Sequence, residues 1–347
     1  MKHREHAGAF LRVSLSRLQM ASLIVSALLC ACVAHCYFWR GDAYAALTVW
    51  PVWAWALPGV LLAGIGWRRS RKWTAITVVA LWLVYLISFS EEVGSLAHWR
   101  YWPSHKWQAA RQRGEALRII SINCAGGNPR AAAEVKAYEP DIVLLQESPK
   151  RQALEEVARQ LFGTNAAVVV GPDASIIVRG QATPRPLLES MRIHYTYAHV
   201  RLSSGMETDV ISLRLPPAPL REDLWTSDCW RDYTDDRQMR RRMLGAICQQ
   251  IGSTARSVPF VIGGDFNTPG GDAIFRLFQP LFRDAFKDGG CGWGNTILNE
   301  YPLLRIDQIW LSEHFHAVTT LARRTQNSDH RMVICDVLLK QSSSTRD

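Results

Sequence analysis

Pro259-Phe-Val-Ile-Gly-Gly-Asp-Phe-Asn267 reads as a buried strand that runs out into two polar side chains. Asp265 and Asn267 straddle Phe266. At the strand period of two they face the same way, and Phe266 turns to the core. Alone, Asp-Phe-Asn-Thr-Pro-Gly-Gly is an ordinary turn sequence. Its weight comes from four other pieces: Ser121-Ile-Asn123, Leu144-Leu-Gln-Glu147, Arg305-Ile-Asp307 and Ser328-Asp-His330. Most pair an apolar, strand-like run with an amide, carboxylate or imidazole at its end. Strands that finish this way bring hard oxygen ligands and one general acid/base to a single sheet edge, as hydrolysis assisted by Mg²⁺ requires.

Working outward, strand-like runs are expected at Leu117–Asn123, Ile142–Glu147, Ala166–Val170, Ser175–Val178, Met191–Leu202 and Thr208–Leu215. Closing strands are expected at Arg305–Leu311, Ala317–Arg323 and Met332–Leu339. Apolar spacing predicts helices over Pro129–Tyr138, Gln152–Phe162, Arg237–Ile251 and Asp272–Phe282. Pro216–Asp236 reads as a long loop, of a length usually functional or disordered. This order predicts an α/β fold: mixed sheets face to face with helices outside.

The 347 residues suggest two units. Three apolar stretches (18–38, 43–67 and 73–89) lack Asp, Glu, Lys and Arg and read as membrane spans. A cleaved signal peptide does not explain three consecutive spans with tight connectors. Residues 1–90 are therefore expected as a membrane anchor, 91–115 as a linker, 116–340 as the globular unit and 341–347 as a disordered tail. Lys2, Arg4, Arg12 and Arg17, and the connector Arg68-Arg-Ser-Arg-Lys72, are basic, whereas Arg40-Gly-Asp42 is neutral. The positive-inside rule then puts the globular unit outside the cytoplasm, on a multi-pass chain of the cell (inner) membrane. The net charge of +9 comes partly from those connectors and says little about nucleic acid. The cluster Arg237, Arg240, Arg241 and Arg242 reads as a solvated helix face or a phosphate or anionic-lipid contact. No Cys-x-x-Cys spacing suggests zinc. Cys229 and Cys291 lie in loops, and an oxidising compartment would allow them to pair or leave them free.

Together the five motifs resemble the endonuclease/exonuclease/phosphatase superfamily of metal-dependent phosphoesterases, here as a membrane-anchored, bacterial-type member. The resemblance runs over Leu117–Leu339 in the family's order. It implies a four-layer α/β/β/α sandwich of two mixed sheets and an Mg²⁺ or Mn²⁺ cofactor. It implies that Glu147, Asn123 and Asp329 hold the metal. Asp265 would position or activate water, and Asn267 would stabilise the phosphoryl oxygens. His330 would bear on the developing charge, with Asp307 orienting its ring. Many members carry His or Tyr where this chain has Arg214, which is expected to bind substrate phosphate instead. The expected function is a phosphoesterase acting outside the membrane. Nucleic acid, a phospholipid head group and a soluble phosphoester all remain open as substrates. The competing reading is a catalytically degenerate phosphate-binding, lipid-binding or scaffold module. Clustered carboxylates argue against it, since they repel without a chemical purpose.

Overall fold

A computed structural model describes residues 2–68, 71–98, 105–217 and 221–340. The tail expected to be disordered, 341–347, lies outside them. Within α1 (Lys2–Trp39), Ser16–Trp39 is long and apolar enough to cross a membrane. So is α4 (Lys72–Phe89). The middle stretch, expected as one span, is broken. A 3-10 turn and α2 (Ala45–Thr48) meet α3 (Val52–Ile65) at a 69° bend, as in a broken span or a re-entrant loop. Pro51 accounts for the break, because its ring bars helical geometry at the residue before it. The 14 residues of α3 reach only about 21 Å.

α1, α3 and α4 share a core that includes Leu23, Val33, Ala56, Val78 and Trp82. Ser22 Oγ donates to the Leu62 carbonyl and Ser26 Oγ to that of Gly59, so α3 runs antiparallel to α1. Trp82 Nε1 donates to Ser26 Oγ at 3.1 Å and closes the triangle.

The stretch expected as a linker holds α5 (Glu91–Leu96) and α6 (His105–Gln112). Trp107 of α6 is buried and donates to the Val337 carbonyl. Then follow β1 (Ala116–Asn123), α7 (Pro129–Ala133), β2 (Ile142–Gln146), α8 (Arg151–Phe162), β3 (Ala166–Val170), β4 (Ala174–Pro184), β5 (Tyr195–Leu202) and β6 (Glu207–Arg214). The chain closes with α9 (Ser227–Ser257), β7 (Phe260–Asp265), β8 (Phe282–Asp284), α10 (Ala285–Gly289), β9 (Asp307–Ser312), β10 (Phe315–Arg323) and β11 (Met332–Leu339).

These strands form one mixed sheet, in the order β10-β11-β1-β2-β4-β5-β6-β7-β9-β8, with β3 on β4. The expected two sheets are not separate in the hydrogen-bond pattern, since the ladders run continuously through β4. β4 serves both halves: Ala174–Val178 pairs β2, and Gly180–Pro184 pairs β5. Gly180 has φ +145, and a Cβ there would lie 2.2 Å from the Arg201 carbonyl oxygen. The sheet curls, so that Leu117, Ile119 and Leu144 share a core with Val210, Val261 and Ile309. Burying each such side chain stabilises the fold by about 1.5–3 kcal/mol. Helices α7 and α8 cover the outer face of one half, and α9 covers that of the other.

α9 starts well inside the expected loop. Thr226 caps it by accepting from the Cys229 amide, and Cys229, Tyr233, Arg237, Arg240 and Leu244 form its buried face. Two arginines in that face hide the periodicity from a hydropathy reading. The helix expected at Asp272–Phe282 is instead a 3-10 turn, Ala273–Leu277.

The arginine cluster is not a solvated face, Arg242 apart. Arg237 pairs with Asp272 at 2.7 Å and donates to Thr48 Oγ1 and the Gly41 carbonyl. Arg241 pairs with Asp42. These arginines dock the segment between α1 and α3 onto the globular unit. Removing one partner of a buried pair such as Arg237–Asp272 typically costs about 3–5 kcal/mol. Cys229 packs against Ala45, Ala46 and Tyr233, Cys291 Sγ donates to the His98 carbonyl, and both are free thiols.

Candidate active site

β1, β2, β6 and β7 all run out at one edge of the curled sheet, and β9 begins there. Each therefore delivers a polar residue: Asn123, Glu147, Arg214, Asp265 and Asp307. Gly264 is required for the approach, since a Cβ there would lie 1.9 Å from the Leu213 carbonyl oxygen. Glu147 and Asn267 hold left-handed backbone conformations, φ 43 and φ 47. Such geometry in non-glycine residues is costly and concentrates at functional sites.

Asn123 joins two of the carboxylates. Its Nδ2 lies 3.2 Å from Glu147 Oε1 and 3.1 Å from Asp265 Oδ2, while its Oδ1 accepts from the Ala125 amide. Asp265 Oδ1 accepts from the Asn267 amide at 2.9 Å. Asn267 Nδ2 donates to the Leu215 carbonyl at 2.7 Å and reaches Asp265 Oδ2 at 3.3 Å. Asp307 Oδ2 lies 2.8 Å from His330 Nδ1. One ligand atom each from Asp265, Asp307 and His330 falls within 4.8 Å of the others.

The charges follow from this crowding. Burial, then the neighbouring Asp307, pushes the Asp265 carboxyl up to about 7. Burial also works against a charged His330, but Asp307 outweighs it and the imidazole is pushed up to about 9. For Glu147, burial is outweighed by the Gly126 amide, Arg214 and Asn123, so its carboxyl is held below the usual range.

Arg214 lies at the half-buried mouth. Its Nη2 is 2.8 Å from Glu147 Oε1, Nη1 is 3.2 Å from Asp173 Oδ2, and Nε is 3.8 Å from Asp265 Oδ2. Asp329 is exposed and lines a groove with Leu298, Asn299, Glu300 and Arg324, and its charge still helps to raise the neighbouring His330 imidazole. Seven of the eight expected residues thus meet, and Asp329 stands at the rim beside His330.

Several partners escaped the sequence reading. Asp173 sits in what reads as a plain Gly-Pro-Asp turn. Ser328 Oγ donates to the Asn123 carbonyl and accepts from the His330 amide, tying β1 to the imidazole. Thr296 Oγ1 accepts from the Asp307 amide. No local pattern marks a hydroxyl that meets a backbone amide eleven positions away.

The donor set suits a hard divalent cation. It offers carboxylate oxygens from Glu147, Asp265 and Asp307, whose Oδ1 is buried without a hydrogen-bond partner among the described residues, whereas Asn123 turns Nδ2 to Glu147 and Asp265 and would have to turn its amide to give an oxygen.

The Endonuclease/Exonuclease/phosphatase family model matches residues 120–330. Enzymes of that family generally use divalent metal ions. A family protein from Bacteroides thetaiotaomicron superposes with a TM-score of 0.52 at 15% identity, covering 65% of this chain and 98% of that one. One from Bacteroides vulgatus gives 0.50 at 16% identity, covering 65% and 99%. A functionally unknown conserved protein from Enterococcus faecalis V583 gives 0.50 at 13%, covering 65% and 100%. These likenesses concern the fold. No curated protein matches the chain.

Proposed function

The chain belongs to the endonuclease/exonuclease/phosphatase family and is a phosphoester hydrolase; from that premise we propose that it is a membrane-anchored, divalent-metal-dependent phosphoesterase working on the outer face of the membrane. The observation that carries this reading is the junction of Asn123, Glu147, Asp265, Asn267, Asp307 and His330 at one sheet edge. We read the curled sheet as the family's four-layer sandwich, with α7 and α8 as one outer layer and α9 as the other.

Glu147 and Asn123 hold the cation, Mg²⁺ or Mn²⁺, with Asp329 contributing from the rim. When bound, the cation supplies Lewis-acid polarisation of the phosphoryl group. Asp265 takes the proton of the attacking water, since a carboxyl near 7 is a competent base at neutral pH. The protonated His330 ring, and Asn267 Nδ2 once it exchanges its 3.3 Å contact with Asp265 Oδ2, stabilise charge on the phosphoryl oxygens, and Asp307 fixes the ring's orientation. Arg214 binds the substrate phosphate through the N–H groups it does not spend on Glu147 and Asp173.

Sidedness is supported by which parts of the anchor touch the catalytic unit. Gly41, Asp42 and Thr48 contact α9, and Glu91 follows α4 directly onto Arg305. The basic connector lies at the opposite end, where Arg71 donates to the Ser16 carbonyl. The first connector and the end of α4 therefore share the catalytic unit's side, and the positive charges share the other.

The test is turnover by the full chain in detergent against bis(p-nitrophenyl) phosphate, p-nitrophenyl phosphate, single-stranded DNA and phosphatidylglycerol. At least one should be cleaved in Mg²⁺ or Mn²⁺, with EDTA abolishing cleavage. Turnover that survives EDTA, or none on any phosphoester, defeats the proposal.

A further inference from the structure

The anchor and the start of the linker reach into the active site's supports at three points. Arg40, just beyond α1, donates to the Gly271 carbonyl. Glu91 Oε2, at the start of α5, accepts from Arg305 Nε at 3.0 Å and Nη2 at 2.6 Å. Glu92 Oε1 accepts from Asn295 Nδ2 at 3.1 Å.

Arg305 is the centre of this contact. It is 5% exposed. Asp284 receives its Nη1 at 3.1 Å and Nη2 at 2.6 Å, and its guanidinium lies 5.0 Å over the Phe286 ring. Its other face presses on the loop that follows Asn267: a Cβ on Gly270 would fall 1.9 Å from Nη2. Its carbonyl accepts from the Gly270 amide at 3.1 Å. One residue further, the Ile306 carbonyl accepts from the Phe266 amide, between Asp265 and Asn267. Arg305 therefore sets the spacing between the Asp265–Asn267 turn and Asp307. Glu92 reaches the same place by a second route, since Asn295 precedes Thr296, whose hydroxyl accepts from the Asp307 amide.

Asp284 and Glu91 share the charge of the buried guanidinium, and Glu91 Oε1 also lies 3.5 Å from Lys287 Nζ. What Glu91 adds is direction. With one carboxylate on each side the guanidinium plane is fixed, whereas with one alone it can rotate on its stem and release Gly270.

We propose that Glu91 is a positioning residue: through Arg305 it holds the Gly270 loop and Asp307 in register, so the active site is complete only with the junction between α4 and α5 docked on it. This deepens the phosphoesterase reading and rests on it. A misplacement of about 1 Å at a reacting group can cost on the order of a hundredfold in rate.

The experiment uses the full chain in detergent, as wild type and as Glu91→Ala, Glu91→Gln and Glu91→Asp, with Glu156→Gln on the surface of α8 as control. Steady-state kinetics on bis(p-nitrophenyl) phosphate are read beside amide hydrogen exchange in peptides covering residues 266–272 and 305–310. Glu91→Ala should lower kcat by about tenfold or more with KM moved less than about threefold, since positioning acts on the reacting complex. Exchange in both peptides should rise, Glu91→Asp should recover part of both effects, and the control should match wild type. If Glu91→Ala does not fold, Glu91→Asp, whose carboxylate is withdrawn by one methylene, decides by the same two readouts in smaller measure, while Glu91→Gln, which keeps the shape and an oxygen for Arg305, should stay near wild type. Wild-type kcat together with unchanged exchange overturns the proposal. A wild-type chain that cleaves no phosphoester defeats the functional reading instead, and the exchange data then decide on their own whether Glu91 holds the loop.

Discussion

His330 Nδ1 and Asp307 Oδ2 lie 2.8 Å apart with both side chains buried, so the contact fixes which ring nitrogen faces the reaction. With Nδ1 held, Nε2 is the nitrogen left for substrate. Asp307→Asn keeps the shape of this contact and loses its charge. We expect kcat to fall by roughly 10²–10⁴-fold in Asp307→Asn and in His330→Ala. The double variant should be little worse than the poorer single one, because the two act as a unit. Additive losses would show that the contact only packs.

The ion-free protein should lose stability as pH rises. Asp265 is pushed up to about 7 and His330 to about 9, so both bind a proton more tightly folded than unfolded. Asp265's contribution is full below its unfolded value of about 3.9 and is lost as pH rises through about 7. That of His330 is full below about 6.5 and is lost through about 9. Thermal unfolding in EDTA should therefore show a falling midpoint from about pH 4 to 9, and Asp265→Asn should remove the lower step. Binding of Mg²⁺ near pH 7 should release protons, seen by calorimetry as a binding enthalpy that changes with the buffer. A flat stability profile would contradict these protonation states.

Arg214 should affect cation and substrate in opposite senses. Its guanidinium lies among Glu147, Asp173 and Asp265, where it partly neutralises the oxygens a cation needs. Arg214→Ala should bind Mn²⁺ more tightly, measured by titration calorimetry, and raise KM for a phosphodiester by about tenfold. Arg214→Lys keeps the charge but not the fork, and should restore cation affinity without restoring KM. Weaker cation binding in Arg214→Ala would mean that Arg214 serves to place Glu147.

Much of this was legible in the sequence, because strands that end in polar residues keep their period and their order. Asn123, Glu147, Asp265, Asn267, Asp307 and His330 are each readable from the two or three residues around them. The missed parts are long-range. Arg237 looks like a surface charge until Asp272 and the Gly41 carbonyl cover it, and Arg240 until its Nη1 donates to the Pro216 carbonyl. Glu91 sits in a polar stretch that reads as a linker, and only folding brings it to Arg305, 214 positions away. The curling of one sheet at Gly180 is also invisible locally, because the strand expected at Ser175–Val178 stops before the glycine that bends it toward β5.

A reporter fused after Asp347 should be active only on the outer side of the membrane. The packing leads to this result whether or not the bent middle pair makes a full crossing. Ser16 lies beside Arg71, the Tyr37 and Tyr85 rings meet 5.9 Å apart near the other end, and α1 and α4 therefore run parallel. Arg40 and Glu91, the residues that follow those helices, both dock onto the catalytic unit. On the proposed orientation, with the basic termini of α1 and α4 in the cytoplasm, that unit is expected outside. Replacing Arg68, Arg69, Arg71 and Lys72 by Gln should weaken this orientation and produce a mixed population, scored by protease access to the C-terminus in sealed vesicles. A reporter active only in the cytoplasm would require the catalytic unit and the basic connector to share one side, which the docked anchor does not allow.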